Sequence, residues 1–310
     1  MKVVRQGAGF LGQGSGSGPP DVSIAIVHYQ TPEILRDSLG LLFASRDADR
    51  FEVFVVDNAS DDFDAAALRE SYPAVTVIEN EENRGFAVAS NQALQRATGR
   101  YLLLLNPDAF VERDTISVMR DYLDANPDVG CATCRVELED GRLDLACRRM
   151  FPTPERSLYR MTLLSRIFPR SRRFGQYNLT YLDERLETEI DQPCGAFMMV
   201  RAEVAAQVGL LDERYFMYGE DTDWAYRIKQ AGWRIMYVPR TKVRHLKRAS
   251  SRLYRSRTIR YFYDAMRIFY RTHYASIYPR WMTAAVLSGI GARERLELAA
   301  NAVRSLRKRP

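Results

Sequence analysis

Two acidic segments of the sequence carry side chains whose types and spacing suit group-transfer chemistry. Asn106 and Asp108 flank a proline directly after the apolar run 101–105, and a carboxylate there can hold a divalent cation that neutralises a diphosphate. Three acids fall within residues 220–223, at a predicted helix start, and one of them is a candidate general base for a hydroxyl nucleophile. An Asn-Pro-Asp turn and helix capping are the structural alternatives for these two segments.

His245 is a third candidate, as a ligand in a mixed metal site of aspartate and histidine; it lies 24 residues after Asp221. A packed or surface histidine is the alternative, and three histidines in the whole chain are too few for a histidine-rich site. Cys131 and Cys134 have the spacing of a redox or zinc pair, but they fall inside an apolar strand and no second pair follows. We therefore predict buried structural cysteines.

Composition and missing motifs disfavour several classes of protein. The chain has 310 residues, of which 46% are hydrophobic, so it can bury a core and is not a disordered chain. No run of about 18 apolar residues is present to predict a membrane-spanning helix. Neither a Walker A loop nor a Rossmann glycine fingerprint follows a strand, which disfavours ATPases and dinucleotide oxidoreductases, and no serine nucleophile elbow follows a strand either.

A sheet must position the candidate residues, because short apolar runs alternate with helical patterns. Strands are predicted at 22–27, 51–56, 75–79 and 101–105, with helices from Pro32, over 64–71 and over 86–97. The alternation predicts an α/β fold in which a mainly parallel sheet has helices on both faces. Ligands bind at the carboxyl ends of such strands, which points to the polar loops at 28–31, 57–61 and 106–108.

The second half of the body is predicted to continue this pattern. A helix is predicted over 113–125, a strand over 129–138 with a hairpin turn at 139–142, a strand over 195–201, a helix over 221–230 and a strand over 234–238. Residues 150–190 are rich in proline and arginine. We expect an irregular loop or lid over the site there, because loops of this length are usually functional.

Charge is distributed unevenly along the chain. The net charge is +6, yet residues 246–310 hold fifteen Lys and Arg against three Asp and Glu. We expect a flexible leader over 1–20, a catalytic domain over 21–250, and a basic, amphipathic, helical C-terminal extension over 251–310. Aromatic residues among arginines at 257–274 suit an interfacial helix on anionic lipid, and packing on the body or on the second subunit of a homodimer is the alternative.

Seven motifs follow one another in an order that resembles a known family. They lie at 22–29, 55–61, 83–87 with Asn91, 104–108, 195–199, 216–224, and 231–233 with His245. Together they are similar to the motifs of family-2 inverting glycosyltransferases, in the rhamnosyltransferase-like branch, over about residues 21–250. The resemblance implies a GT-A fold: a Rossmann-like nucleotide-sugar-binding domain with a mixed, mainly parallel sheet flanked by helices, followed by the basic helical extension.

The resemblance places a nucleotide-sugar donor at one side of the site. Asp57 would hydrogen-bond the base of the donor near the loop of His28 and Tyr29, and Arg84 would face the nucleotide or its phosphates. The other residues that the resemblance assigns to the donor are Asn58, Asn91 and Asn106.

The same resemblance implies a divalent metal and a catalytic base. Asp108 would bind Mn or Mg on the diphosphate, with His245 as a further ligand. Asn106 replaces the first acid of the family's Asp-x-Asp motif, as is common in this branch. Asp221 would take the proton of the acceptor hydroxyl as that oxygen attacks the anomeric carbon, so that a single displacement inverts the configuration. Two further residues would shape the acceptor site: Glu220 and Trp224.

The implied reaction is transfer of a sugar to a hydroxyl of a saccharide or lipid-linked saccharide, in cell-surface polysaccharide assembly. We take dTDP-L-rhamnose as the first choice of donor, and UDP-linked hexoses stay open because Asp57 suits uracil and thymine alike. We expect a cytoplasmic enzyme that binds peripherally to the inner membrane face through its basic extension.

Three other classes of protein compete with this interpretation. A nucleic-acid-binding protein could use the arginines and aromatics of the extension, but the acid-rich loops would then have no task, so we do not expect nucleic acid as a partner. A nucleotidyltransferase usually needs a phosphate-cradling loop near the first strand, and residues 28–32 offer none. A non-catalytic sugar-binding relative is disfavoured by the presence of Asp57, Asp108 and Asp221 together.

Overall fold

The computed structural model of the protein describes residues 18–246 and 255–306, so most of the predicted leader lies outside the described residues. Over these residues nine strands form one sheet. The strands are β1 (Val22–His28), β2 (Phe51–Asp57), β3 (Val75–Glu79), β4 (Tyr101–Leu105), β5 (Ala109–Val111), β6 (Val129–Leu138), β7 (Thr188–Glu189), β8 (Phe197–Arg201) and β9 (Arg234–His245). The α-helices are α1 (Pro32–Phe43), α2 (Ala65–Ser71), α3 (Phe86–Leu94), α4 (Thr115–Ala125), α5 (Pro154–Met161), α6 (Leu164–Ile167), α7 (Ala202–Val208), α8 (Glu220–Gln230), α9 (Arg255–Phe269) and α10 (Arg280–Leu306).

The sheet is mixed and its first half is parallel, as predicted. The strand order is β3-β2-β1-β4-β8-β6-β9-β5, and β7 pairs with β9. Strands β1 to β4 run parallel, β8 is antiparallel to both of its neighbours, and β6 and β9 are parallel to each other. β1 and β4 are buried along their whole length, as strands of a covered parallel sheet should be. The carboxyl ends of β1, β2 and β4 therefore lie at one edge, where His28 stands opposite Asp57.

Strand β9 is longer than the sequence pattern predicts, and this changes the position of His245. The sequence pattern predicts a strand that ends at Val238, one residue before Pro239. In the structure a register shift against β6 leaves residues 239–241 outside the pairing, and the strand continues to His245. His245 is thus the last residue of β9, opposite Ala109 of β5, and does not lie in a following loop.

The irregular loop predicted over 150–190 is wrong for its first part, which folds into α5 and α6, and β7 occupies its end. Helix α5 starts at a regular cap: the side chain of Thr153 accepts a hydrogen bond from the Arg156 N–H, and Pro154 occupies the first turn. The segment joins the body where the Phe151 N–H donates to Asp191. Its role as a lid stays a prediction.

The C-terminal extension packs on the body. Phe269, Tyr270 and Tyr274 are buried in the main core, and the ring of Tyr261 stacks on Phe216 at a centroid distance of 4.4 Å. Two of the aromatic residues expected to face lipid, Phe269 and Tyr270, are therefore unavailable to a membrane, and α9 follows the packed alternative. Peripheral membrane binding through the extension stays a prediction. In the described ranges, none of the helices is both long and apolar enough to cross a bilayer.

The four cysteines are free and buried, as predicted for structural residues. Cys131 and Cys134 lie on β6 inside the main core. Burial raises the pKa of the Cys131 thiol well above its usual range, so it has no thiolate character for redox or metal chemistry.

Candidate active site

At the carboxyl ends of β1 and β2, His28 holds Asp57 in a fixed orientation. The Thr31 N–H donates to His28 Nε2 at 3.0 Å, so the ring proton is on Nδ1, which donates to Asp57 Oδ1 at 2.8 Å. The Ser60 N–H donates to Asp57 Oδ2 at 3.0 Å. Burial alone would raise the pKa of Asp57, but the hydrogen bonds from His28 and Ser60 outweigh it and lower the pKa, so Asp57 is an ionised acceptor.

His28 is fully buried and both of its ring nitrogens are used, so it positions Asp57 and does not itself reach a donor. Tyr29, the next residue, is partly buried. Its hydroxyl makes no hydrogen bond within the described part of the chain and is free to contact a ligand.

Asn58 shapes the loop that follows β3. Its side-chain oxygen accepts hydrogen bonds from Asn80 and from the Arg84 N–H, and its amide nitrogen donates to Asn83 and to the Gly85 carbonyl. Both polar atoms of the Asn58 side chain are thus used in hydrogen bonds within the protein. Asn58 therefore has no free polar side-chain atom for the donor, and its role is to position the loop. The Arg84 side chain is exposed and makes no hydrogen bond or ion pair with any described residue, as a phosphate-binding side chain would need.

Gly85 connects this loop to the segment that precedes the acidic helix α8. It has a φ of +83°, and a Cβ at this position would lie 2.5 Å from the Phe216 carbonyl oxygen. The Phe86 N–H donates to that same oxygen at 2.7 Å. The loop that contains Arg84 and the segment that contains Phe216 are therefore in contact through their backbones. Only glycine allows this close approach at position 85.

Replacing Gly85 with alanine is expected to destabilise the fold by about 2–5 kcal/mol, because backbone strain adds to overlap with an atom that cannot move away. Urea unfolding measures the loss. Gly141→Ala is the matched control: Gly141 has a φ of +79° but nothing within 4 Å, so strain alone should cost about 1 kcal/mol. Equal losses in the two variants would show that the Phe216 contact does not constrain Gly85.

Asp108 and His245 form a pair after β4 and at the end of β9. His245 Nε2 lies 3.2 Å from Asp108 Oδ1, and the Leu246 N–H donates to the Asp108 carbonyl at 3.0 Å. Asp144 Oδ2 lies 3.7 Å from His245 Nδ1. Burial would lower the pKa of His245, but Asp108 and Asp144 outweigh it and raise the pKa to about 9. The metal-free imidazole is therefore protonated, and a metal ion would have to displace that proton.

Asp108 and His245 fit a divalent metal ion whose remaining ligands come from a bound diphosphate. One carboxylate and one imidazole are ordinary donors for Mn. Asn106 lies two residues before Asp108 in the chain, and its side chain makes no hydrogen bond within the described residues. No group of three His, Cys, Asp or Glu converges on one point in the part of the chain that the structure describes. Oxygen atoms of a bound diphosphate would therefore have to complete the coordination.

Asp221 lies in the first turn of α8 and is held from both sides. Its Oδ2 accepts from the Gly195 N–H at 3.2 Å and from Arg149 Nη2 at 3.3 Å, and its Oδ1 accepts from the Thr222 N–H at 2.7 Å. Gly195 is two residues before β8, whose neighbour is β4, and the Asn106 N–H donates to the Ala196 carbonyl at 3.2 Å. The carboxylate of Asp221, the predicted catalytic base, is thus connected through one short segment to the loop of Asn106 and Asp108.

Glu220, next to Asp221, has a raised pKa. Burial and the charge of Asp221 raise its pKa to about 8, and its Oε2 has no hydrogen-bond partner among the described residues. On the other side, Arg149 Nη2 pairs with the Asp221 carboxylate at 3.3 Å. Burial works against the charge on Arg149, but Tyr177 and Asp221 outweigh it and raise its pKa, so Arg149 stays charged.

Replacing Glu220 with glutamine is expected to remove part of the protein's loss of stability at alkaline pH. The unfolded state loses the Glu220 proton near pH 4.5 and the folded state near 8, so stability falls as pH rises between these values. The variant should be more stable than wild type by about 1–3 kcal/mol at pH 8.5 and equal to it at pH 4. Denaturant unfolding across this range tests it, and a pH-independent difference between the two proteins would contradict the protonation of Glu220.

The structure does not bring Asn91 and Trp224 to an open face of the site. Trp224 is fully buried and its indole N–H donates to the Gly209 carbonyl at 2.9 Å, so the predicted contact with an acceptor is wrong for this side chain. Asn91 donates to the Leu211 carbonyl and to Glu213, and accepts from the Leu211 N–H. These bonds connect α3 to the loop before α8 and use both polar atoms of the Asn91 side chain. The contact of Asn91 with the donor stays a prediction.

Comparison with known proteins fits this arrangement. A model of the family described as "Glycosyltransferase like family 2" matches residues 19–263. The chain belongs to this family. It is therefore a glycosyltransferase, of the rhamnosyltransferase-like type, as the ordered motifs predict.

Curated relatives support the same branch. The chain is 27% identical over 243 residues to an N-acetylglucosaminyl-diphospho-decaprenol L-rhamnosyltransferase of Mycobacterium tuberculosis, covering 74% of this chain and 76% of the relative. It is 26% identical over 249 residues to the rhamnosyltransferase WbbL of Escherichia coli, covering 77% of this chain and 89% of the relative.

Solved structures confirm the GT-A fold. The mannosyltransferase PcManGT from Pyrobaculum calidifontis, in complex with GDP-Man and Mn2+, superposes with a TM-score of 0.55 at 21% identity over 94% of this chain and 82% of that one. GalNAc-T7 with UDP, GalNAc and Mn2+ superposes with a TM-score of 0.56 at 16% identity. The match covers 75% of this chain, which spans 45% of the GalNAc-T7 chain.

Proposed function

We propose that this glycosyltransferase moves a sugar from a nucleoside diphosphate donor to a hydroxyl of a saccharide or lipid-linked saccharide, with inversion, in cell-surface polysaccharide assembly. The observation that carries the proposal is the carboxylate of Asp221, which Gly195 and Arg149 hold beside the loop of Asp108. One well-placed base is enough for a single displacement, whereas glycoside hydrolysis needs two cooperating carboxyl groups.

The donor is proposed to bind with its base at Asp57. The ionised Asp57 carboxylate is a fixed acceptor for an imide N–H, which uracil and thymine both carry. The exposed Arg84 guanidinium is available to the phosphates. We propose dTDP-L-rhamnose as donor because the Mycobacterium tuberculosis and Escherichia coli relatives are named rhamnosyltransferases, and a UDP-linked hexose is the alternative.

Asp108 and His245 are proposed to hold Mn or Mg, and Asn106, two residues before Asp108, is proposed to contact the donor. When bound, the metal would stabilise the negative charge that the leaving diphosphate gains. Two of the structural neighbours were solved with Mn2+, which supports this proposal.

The acceptor hydroxyl is proposed to lose its proton to Asp221 while its oxygen forms the bond to the anomeric carbon and the bond to the diphosphate breaks. Arg149 orients the carboxylate, and the Gly195 N–H fixes the oxygen Oδ2. Glu220 stays protonated beside it, so that no second charge repels the incoming diphosphate.

The test is release of nucleoside diphosphate from dTDP-L-rhamnose and from UDP-hexoses, with manganese and a lipid extract as the source of acceptor. Release that depends on both manganese and the extract supports the proposal, and the preferred donor identifies the base. No release from any donor by the folded protein would contradict it.

A further inference from the structure

The segment between Arg149 and β7 exposes an unusual number of large apolar side chains. Five of them lie within residues 158–168, on and between helices α5 and α6. Each is at least half exposed, and they are Leu158, Met161, Leu163, Ile167 and Phe168. A concentration of this kind on a water-facing surface marks an interaction site. We call residues 154–173 the α5–α6 segment.

The α5–α6 segment is strongly basic. It holds six arginines and one acid, Glu155. Arg166, Arg170 and Arg172 are exposed and make no hydrogen bond or ion pair with other described residues. Their charges are therefore available to an external partner.

The α5–α6 segment is folded and packs on the body through one side. Its apolar side chains are therefore exposed to solvent from a defined structure. Tyr159 of α5 is buried and its ring meets Phe174 edge to face at a centroid distance of 4.9 Å. Arg156 pairs with Asp191 at 3.5 Å, and Phe151 contacts the ring of Tyr226 on α8. These contacts fix the inner side of the segment against the body and leave the apolar side chains outside.

We propose that the α5–α6 segment docks on the surface of an anionic lipid bilayer. Side chains such as Ile167 and Phe168 would enter the boundary between headgroups and acyl chains, while the three unpartnered guanidinium groups bind lipid phosphates. Opposite charge favours an anionic bilayer over a basic or neutral protein surface. The sequence-based prediction placed membrane binding on the C-terminal extension, whose aromatic residues Phe269 and Tyr270 are buried instead.

This surface is attached directly to the acceptor side of the active site. Arg149, which pairs with Asp221, lies five residues before the start of α5. A bilayer bound at the α5–α6 segment would therefore hold a lipid-linked acceptor near the part of the chain that carries Arg149, the partner of Asp221. This consequence rests on the proposed function, whereas lipid binding itself does not.

Helix α10 offers the competing surface. Trp281, Leu296 and Val303 are exposed there, but they are spread over more than 20 residues. Two acids of the same helix, Glu294 and Glu297, lie among its arginines and pair with α9. The α5–α6 segment has more large apolar side chains in half that length and less opposing charge.

The experiment is co-sedimentation of the full chain with vesicles of phosphatidylcholine alone or with 30% phosphatidylglycerol. We expect at least about tenfold tighter binding to the anionic vesicles. The double variant Ile167→Ser/Phe168→Ser should lose at least about tenfold, and the triple variant Arg166→Gln/Arg170→Gln/Arg172→Gln about 100-fold. The matched control Trp281→Ser/Leu296→Ser on α10 should bind within about twofold of wild type.

Three results would overturn the proposal. They are equal binding of wild type to both kinds of vesicle, loss of binding in the α10 variant with retention in both α5–α6 variants, and a lipid-free dimer that the α5–α6 variants dissociate in sedimentation velocity. Binding of dTDP and UDP with manganese is measured on the same proteins. Vesicle binding without nucleotide binding would sink the proposed function alone, and nucleotide binding without vesicle binding would sink this inference alone.

Discussion

Replacing Asp221 with asparagine is expected to reduce sugar transfer by at least about 10³-fold while leaving nucleotide affinity within about twofold of wild type. Asparagine keeps the size of the side chain but cannot take the proton of the acceptor hydroxyl, and general-base removal typically costs 10²–10⁴-fold. Asp57 at the end of β2 and Asp108 after β4, to which we assign donor binding, lie on other elements and are untouched. The measurement is initial rate of transfer, with nucleotide affinity from calorimetry on the same preparation.

Asp212→Asn is the matched control for this prediction. Asp212 lies in the loop between α7 and α8, nine residues before Asp221, and its carboxylate pairs with Arg214. It should retain transfer within about twofold, because an exposed pair of this kind contributes little. An Asp221→Asn enzyme as active as this control would remove Asp221 from the mechanism.

Replacing Asp108 with alanine is expected to weaken manganese-dependent nucleotide binding by at least about 100-fold, with little change in the affinity measured without metal. The change removes a carboxylate that His245 Nε2 approaches at 3.2 Å, and His245 alone holds a divalent ion poorly. Calorimetric titration with and without manganese separates the two contributions.

The control for Asp108→Ala is Asp140→Ala, in an exposed turn where the carboxylate pairs with Arg142 only. It should leave both affinities unchanged. If Asp108→Ala bound nucleotide with the same manganese dependence as wild type, the metal would have to lie elsewhere.

Local sequence patterns predicted the edge of the sheet at which the candidate binding residues lie. The apolar runs before Asp57 and Asn106 are long enough for buried parallel strands, so the polar loops after them had to meet at one edge. The acids at 220–223 marked the start of α8 for the same local reason, since carboxylates favour helix N-termini.

Other features depended on contacts between distant segments. Arg149 is one arginine in an arginine-rich stretch, and nothing in its surroundings in sequence shows that it meets Asp221. His28 looked like a donor contact until the hydrogen bonds from Thr31 and to Asp57 used both nitrogens. The family resemblance implies an acceptor-site role for Trp224, and only the packing of α8 shows that this side chain is buried.

Two predictions from local sequence patterns were wrong, one for the end of β9 and one for the start of α5. The predicted strand ends at Val238, whereas a register shift against β6 lets β9 continue past Pro239 and bring His245 to Asp108. Thr153 and Pro154 form an ordinary helix start that the surrounding prolines obscured.

The most direct test of the proposed site is calorimetric titration of the purified protein with dTDP and with UDP, each with and without manganese. We predict manganese-dependent binding of at least one nucleotide, lost in Asp108→Ala and retained in Asp221→Asn. Absence of binding by the folded wild-type protein, or binding that manganese does not affect, would contradict a nucleotide-sugar site built from Asp57, Asp108 and His245.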